Sequence, residues 1–182
     1  MTAKPTTPVL VLPGHGDSGP EHWQSLWEAQ EAGWRRVTQR DWFAPTLNEW
    51  RERLDGAVAA CERPPTLVAH SLGCVLVAHW ARQTQRAIAG ALLVAPADVD
   101  MLALMGDTVA TFAPVPLQTL PFPSIVVASS DDPYVSVERA QSFARAWGSR
   151  FVVIEGAGHI NTDSGHGHWP EGRQLLDELR GA

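Results

Sequence analysis

The sequence predicts an α/β fold: one mostly parallel sheet flanked by helices on both faces. Two observations carry this. Short runs rich in Val, Ile and Leu alternate along the chain with longer amphipathic stretches, the rhythm of β-α units. The apolar runs are continuous rather than alternating, which suits strands covered on both sides. At 182 residues the chain is read as a single domain spanning residues 1–182, long enough to bury most of its apolar surface in one core.

The expected strands, in order, are VLVLPG (Val9 to Gly14), TLVAH (Thr66 to His70), GALLVAP (Gly90 to Pro96), SIVVASS (Ser124 to Ser130) and RFVVIEG (Arg150 to Gly156). A weaker strand is expected near Arg36 to Arg40. Helices are expected over Pro20 to Ala32, Leu47 to Cys61, Leu72 to Thr84, Val137 to Trp147 and Pro170 to Leu179. Asp98 to Pro123 breaks the rhythm, with a short helical piece followed by Pro114, Pro116, Pro121 and Pro123. Proline at that density opposes both helix and central strand. The segment is read as an extended connection over the sheet edge, with a wall of the substrate entrance as its functional alternative. Trp23, Trp27 and Trp34 recur at near-helical spacing beside Leu26 and are expected to pack in the core.

Composition removes several classes of function. The formal charge of −6 is spread along the chain, whereas a nucleic-acid partner calls for a basic patch. No apolar run approaches a membrane span, and MTAKPTTP at the start lacks the apolar stretch of a leader. Cys61 and Cys74 fall in expected helices, form no C-x-x-C motif, and are read as reduced thiols in a cytoplasmic protein. His159, Asp163, His166 and His168 cluster within ten residues, but their spacing matches no zinc arrangement. Neither a metal nor a cofactor is expected.

The chemistry centres on VAHSLGC. In Ala69-His70-Ser71-Leu72-Gly73 a serine sits between small residues two before and two after it, at the junction of an expected strand and helix. This is the pattern of a nucleophile elbow, with Ala69 in place of the usual first glycine. A serine capping the helix would read the same way. What separates the two is whether a base and an acid follow. SIVVASSDDPYVS places Asp131 and Asp132 at the end of an apolar run, where a carboxylate can orient a histidine. Asp132 is preferred because it directly precedes Pro-x-Val. Asp131 is read as a turn or capping residue, with an exchange of roles left open. His159 follows on a loop between glycines after the last expected strand. Ser71, Asp132 and His159 thus occur in the chain order of a hydrolase triad.

An oxyanion site needs backbone N–H donors. Leu72, at the start of the expected helix, supplies one, and His15, in the glycine-rich turn LPGHGDSGPEHW, is the candidate for the second. The His15 side chain is open to a substrate contact or a structural role. Trp169 and His166, near His159 in sequence, are candidate substrate contacts.

PGHGDSGPEHW, HSLGC, SSDDPYVS and GHINTDSGHGHWPEG together resemble the small, lidless branch of the α/β-hydrolases that includes retinoblastoma-binding protein nine and its bacterial relatives. HSLGC and SSDDPYVS occur more loosely across the superfamily, while the other two motifs are more particular to this branch. The resemblance implies a Ser71-Asp132-His159 triad and hydrolysis of carboxylic esters or similar acyl compounds. Its expected partner is a small-molecule acyl substrate. A peptidase or thioesterase would use the same triad, and a protein-binding module that keeps the fold with little chemistry is the alternative class. Without a lid, the site is expected to be open and suited to short or medium acyl chains.

Overall fold

The computed structural model of the chain describes residues 7–104 and 108–181. Residues 1–6, most of the stretch read as lacking a leader, lie outside these. Six strands form one sheet: β1 (Val9–Leu12), β2 (Trp34–Arg36), β3 (Thr66–His70), β4 (Gly90–Val94), β5 (Ser124–Ser129) and β6 (Arg150–Ile154). Their order is β2-β1-β3-β4-β5-β6, and every pairing is parallel. The helices are α1 (Trp23–Gln30), α2 (Leu47–Ala59), α3 (Leu72–Ala81), α4 (Val99–Leu104), α5 (Val137–Trp147) and α6 (Pro170–Arg180). Among the described residues, none is long and apolar enough to cross a membrane.

Alternation along the strands builds two cores. Leu10 and Leu12 of β1 join Trp50 and Leu54 of α2, Val75 of α3 and Phe143 of α5 on one face. Val9 and Val11 join Trp23 and Trp27 of α1 and Leu176 of α6 on the other. The chain visits β2 on one side of β1 before returning to β3 on the other. Such a reversal opens a crevice beyond the carboxyl ends of β1 and β3, where sheets of this kind bind ligands.

Several expectations are corrected. The weak strand lies earlier than Arg36 to Arg40, at Trp34–Arg36. Trp34 therefore leaves the helical stripe: α1 ends at Gln30, Gly33 turns the chain at φ +93°, and Trp34 meets Trp27 edge-on at 6.2 Å from β2. All three tryptophans are nevertheless buried. The run at Arg150 is an edge strand and only half-buried. Cys61 lies just beyond α2 rather than within it, and both cysteines are free thiols. The proline-rich segment joins neighbouring interior strands β4 and β5, so it crosses one face instead of following the edge. It is tied down where Trp147 Nε1–H donates to Pro116 O (2.7 Å) and His79 Nε2–H donates to Phe112 O (2.7 Å).

Candidate functional site

Ser71 occupies the cap position of α3 at φ +53°, ψ −119°, and its hydroxyl makes no capping bond. A non-glycine residue held at positive φ persists only where its surroundings impose it. Here Ser71 N–H donates to Val94 O at 2.9 Å, extending the β3–β4 ladder into the turn. On its far side the turn meets β1 at van der Waals limits. A Cβ on Gly73 would lie 2.4 Å from Leu12 O, and one on Gly14 would lie 2.8 Å from Ser71 Cβ. The serine is thus projected outward, and the capping alternative fails.

Three expected residues come together. Ser71 Oγ lies 2.9 Å from His159 Nε2. His159 Nδ1 lies 3.0 and 2.9 Å from the two Asp132 carboxylate oxygens. A carboxylate only accepts, so Nδ1 carries the proton and Nε2 is left to accept from the serine hydroxyl. The side chain of Asp132 is fully buried and that of His159 nearly so, which excludes water from the pair. Asp131, one residue earlier, faces the other way: it accepts from Ser129 Oγ–H and from Gly158 N–H, both at 2.7 Å. Those two donors, the Ser129 hydroxyl first, hold its carboxyl below the usual range. Asp131 secures the loop that carries His159, and Asp132 meets the imidazole.

Two further side chains, neither expected from sequence to meet it, hold the same loop. His70 Nε2–H donates to the carbonyl of His159 (2.8 Å) and Trp23 Nε1–H donates to the carbonyl of Ile160 (2.9 Å). They pin a segment in which Gly158 and Ile160 both have positive φ. His22, His70 and His159 form a row, with ring centroids 4.9 and 4.8 Å apart. His22 Nδ1 accepts from Gln24 N–H at the start of α1. Burial, then the Arg36 and His159 charges, push its pKa down to about 4. Burial, aided by the charges of its two histidine neighbours, also drives His70 well below the usual range. The available sequence signal was position: His70 ends β3 immediately before Ser71.

A pH dependence follows for stability. Below the ordinary histidine value of 6.5 and above about 4, His22 takes up its proton in the unfolded chain but not in the fold, so stability rises with pH across that window. Acidifying from about pH 7 to about pH 4.5 is expected to cost roughly 2 kcal/mol through His22, with His70 adding in the same direction. Urea midpoints measured at both pH values check this, and His22→Gln should flatten part of the slope.

A cavity of about 400 Å³ opens over Ser71 at the switch point. Gly14, His15 and Leu72 line it together with the apolar Ala97, Leu102 and Val109 of the β4–β5 connection. That connection therefore does wall the site, through its first half. The exposed His15 ring lies 3.2 Å from Phe43 O and 3.3 Å from Thr108 Oγ1 through Nε2. The expected contacts Trp169 and His166 are corrected, because neither lines the cavity. At φ +42° Trp169 turns inward, stacking 5.8 Å from Trp27 in the core. His166 contacts Ser164 Oγ at 3.2 Å on its own loop. Tyr134 and Asn161 line the cavity in their stead. His168 Nδ1 lies 3.4 Å from Gln30 Nε2. Among the described residues no three His, Cys, Asp or Glu side chains converge as a metal site.

A family model described as serine hydrolase matches residues 9–178. No curated protein matches the chain. Among solved structures, a YdeN-like hydrolase from Pectobacterium atrosepticum is 35% identical, with 96% of this chain and 90% of that one covered at a TM-score of 0.86. The ydeN gene product of B. subtilis is 20% identical, with 97% and 100% covered at a TM-score of 0.77. A thermophilic esterase from Thermogutta terrifontis shares the fold at 17% identity, with 96% and 91% covered and a TM-score of 0.66. The fold and the match across nearly the whole chain agree with the sequence motifs: this chain belongs to the serine hydrolase family, as a small hydrolase of the α/β type.

Proposed function

We propose that this protein hydrolyses carboxylic esters of small acyl compounds through an acyl-enzyme on Ser71. The observation that carries the reading is the continuous chain from Ser71 Oγ through His159 to Asp132 on a strained elbow. Ser71 attacks the acyl carbonyl while His159 Nε2 takes its proton, and Asp132 stabilises the resulting imidazolium. The tetrahedral oxyanion is received by two backbone N–H groups. Leu72 N–H is one of the donors left unpaired by the first turn of α3. His15 N–H is the other, on the loop whose Gly14 abuts Ser71 Cβ and Leu72 N. His159 then protonates the leaving alcohol, and the same imidazole activates the water that releases the acid. Two free thiols suit the reducing, cytoplasmic setting that goes with this reading.

Because His159 is the base in this scheme, His159→Ala should lower kcat for a short-chain nitrophenyl ester by about three orders of magnitude or more. A variant that keeps the wild-type kcat contradicts the assignment of His159. The measurement is steady-state kinetics on both proteins at constant ionic strength, with protein folding followed in parallel by circular dichroism.

A further inference from the structure

We propose that the cavity sorts substrates by polarity and charge: an apolar acyl group lies against Ala97, Leu102 and Val109, and an uncharged or cationic leaving group lies beside Asp17 and Asn161. This deepens the hydrolase reading above and rests on it. The two walls belong to different parts of the fold. Ala97 and Val109 are part of the core that α2, α3 and α5 cover, with Leu102 packed against it. All three come from the connection that leaves β4, line the cavity and carry apolar side chains. Asp17 comes from the loop that leaves β1, and Asn161 from the loop that carries His159. Ala97 and Val109 sit in the core on one face of the sheet, and Ile160, next to Asn161, sits in the core on the other with α1. Asp17 is tied through Arg36 to Glu28 of α1 on that second face, so the two walls approach Ser71 from opposite faces.

Mechanism fixes which part of the ester takes which wall. The leaving oxygen must receive a proton from His159 Nε2, so the leaving group lies on the flank of the His159 loop, where Asn161 stands. The acyl chain, on the other side of the carbonyl carbon, is directed to the apolar wall.

Charge sets the second preference. Among the described residues the cavity lining includes no Lys or Arg. Asp17 lines it, and Asp132 stands directly behind His159. Arg36 pairs with Asp17 at 2.8 Å from outside the lining, but it also pairs with Glu28 at 3.0 Å, so this group of three keeps a net negative charge. An anionic leaving group would enter a field of its own sign with no Lys or Arg in the described lining to pair with it, and wrong ligands are rejected by such like-charge contacts.

The test compares butyrate esters of 4-nitrophenol and of its 3-carboxylated analogue, then acetyl and hexanoyl esters of 4-nitrophenol, on purified full-length protein. We expect kcat/KM for the neutral leaving group to exceed that for the anionic one by about tenfold or more at low salt, and Asp17→Asn to shrink the ratio several-fold. Leu102→Trp is expected to lower the hexanoyl-to-acetyl ratio of kcat/KM by about tenfold, and Leu102→Ala to preserve or raise it. A wild type that cleaves both leaving groups equally, or a Leu102→Trp ratio equal to wild type, overturns this inference while leaving the hydrolase reading standing. Failure of every ester, with no labelling of Ser71 by a small fluorophosphonate, overturns the hydrolase reading itself.

Discussion

Asp132→Asn is expected to lower kcat by about three to four orders of magnitude, whereas Asp131→Asn is expected to change it by less than about tenfold. Adjacent acids of the same type make this a sharp comparison. Asp132 accepts the Nδ1–H of His159 through both oxygens. An asparagine there offers an amide N–H to the ring, favours the other tautomer, and turns an Nε2–H toward the Ser71 hydroxyl, which then has no base. Asp131 instead accepts from Ser129 and Gly158, and an asparagine carbonyl can accept the same two bonds. Steady-state kinetics on both variants, with thermal unfolding to confirm folding, check the pair. Similar losses in the two would mean that the acids share the role, contrary to this geometry.

Gly73→Ala is expected to damage the fold severely, costing about 3 kcal/mol or more. Its Cβ would stand 2.4 Å from Leu12 O and 2.9 Å from Pro13 O. Both are backbone atoms at or just beyond the end of β1, an interior strand, and neither can swing aside as a side-chain tip would. Relief requires α3 to lift from β1, which displaces Ser71 as well. For a chain of this size the cost corresponds to a fall in Tm of roughly 6–12 °C, measurable by calorimetry. Gly14→Ala should differ in kind, since its Cβ meets Ser71 Cβ at 2.8 Å. There the elbow is crowded and activity should suffer more than stability. A Gly73→Ala protein with unchanged Tm would mean that the elbow is looser than described.

The interior of the sheet was legible because burial on both faces leaves continuous apolar runs, and β1, β3, β4 and β5 are such runs. The edges were harder to read. β2 has only three residues, two of them arginines, so neither length nor periodicity marks it. The spacing of Trp34 from Trp27 fitted a helix that ends before reaching it. Ser71, Asp132 and His159 could be picked out together because each sits where a strand ends, and chain order alone links them. The shell around it was not. His70 reaches the carbonyl of His159 across 89 residues of sequence, and His22 adjoins His70 through a separate loop. Contacts between distant segments leave no periodic trace. Trp169 shows the converse: nearness to His159 along the chain suggested a substrate contact, yet the backbone at that position directs the indole into the core.

Everything proposed about chemistry depends on Ser71 being an activated nucleophile. The most direct test is fluorophosphonate labelling of the purified protein, read by intact mass and peptide mapping, with Ser71→Ala alongside. A single adduct on Ser71 in the wild type, absent from the folded variant, is the expected result. No adduct on well-folded wild type, or an adduct that persists in Ser71→Ala, would contradict the account and move the protein-binding alternative ahead of the enzyme.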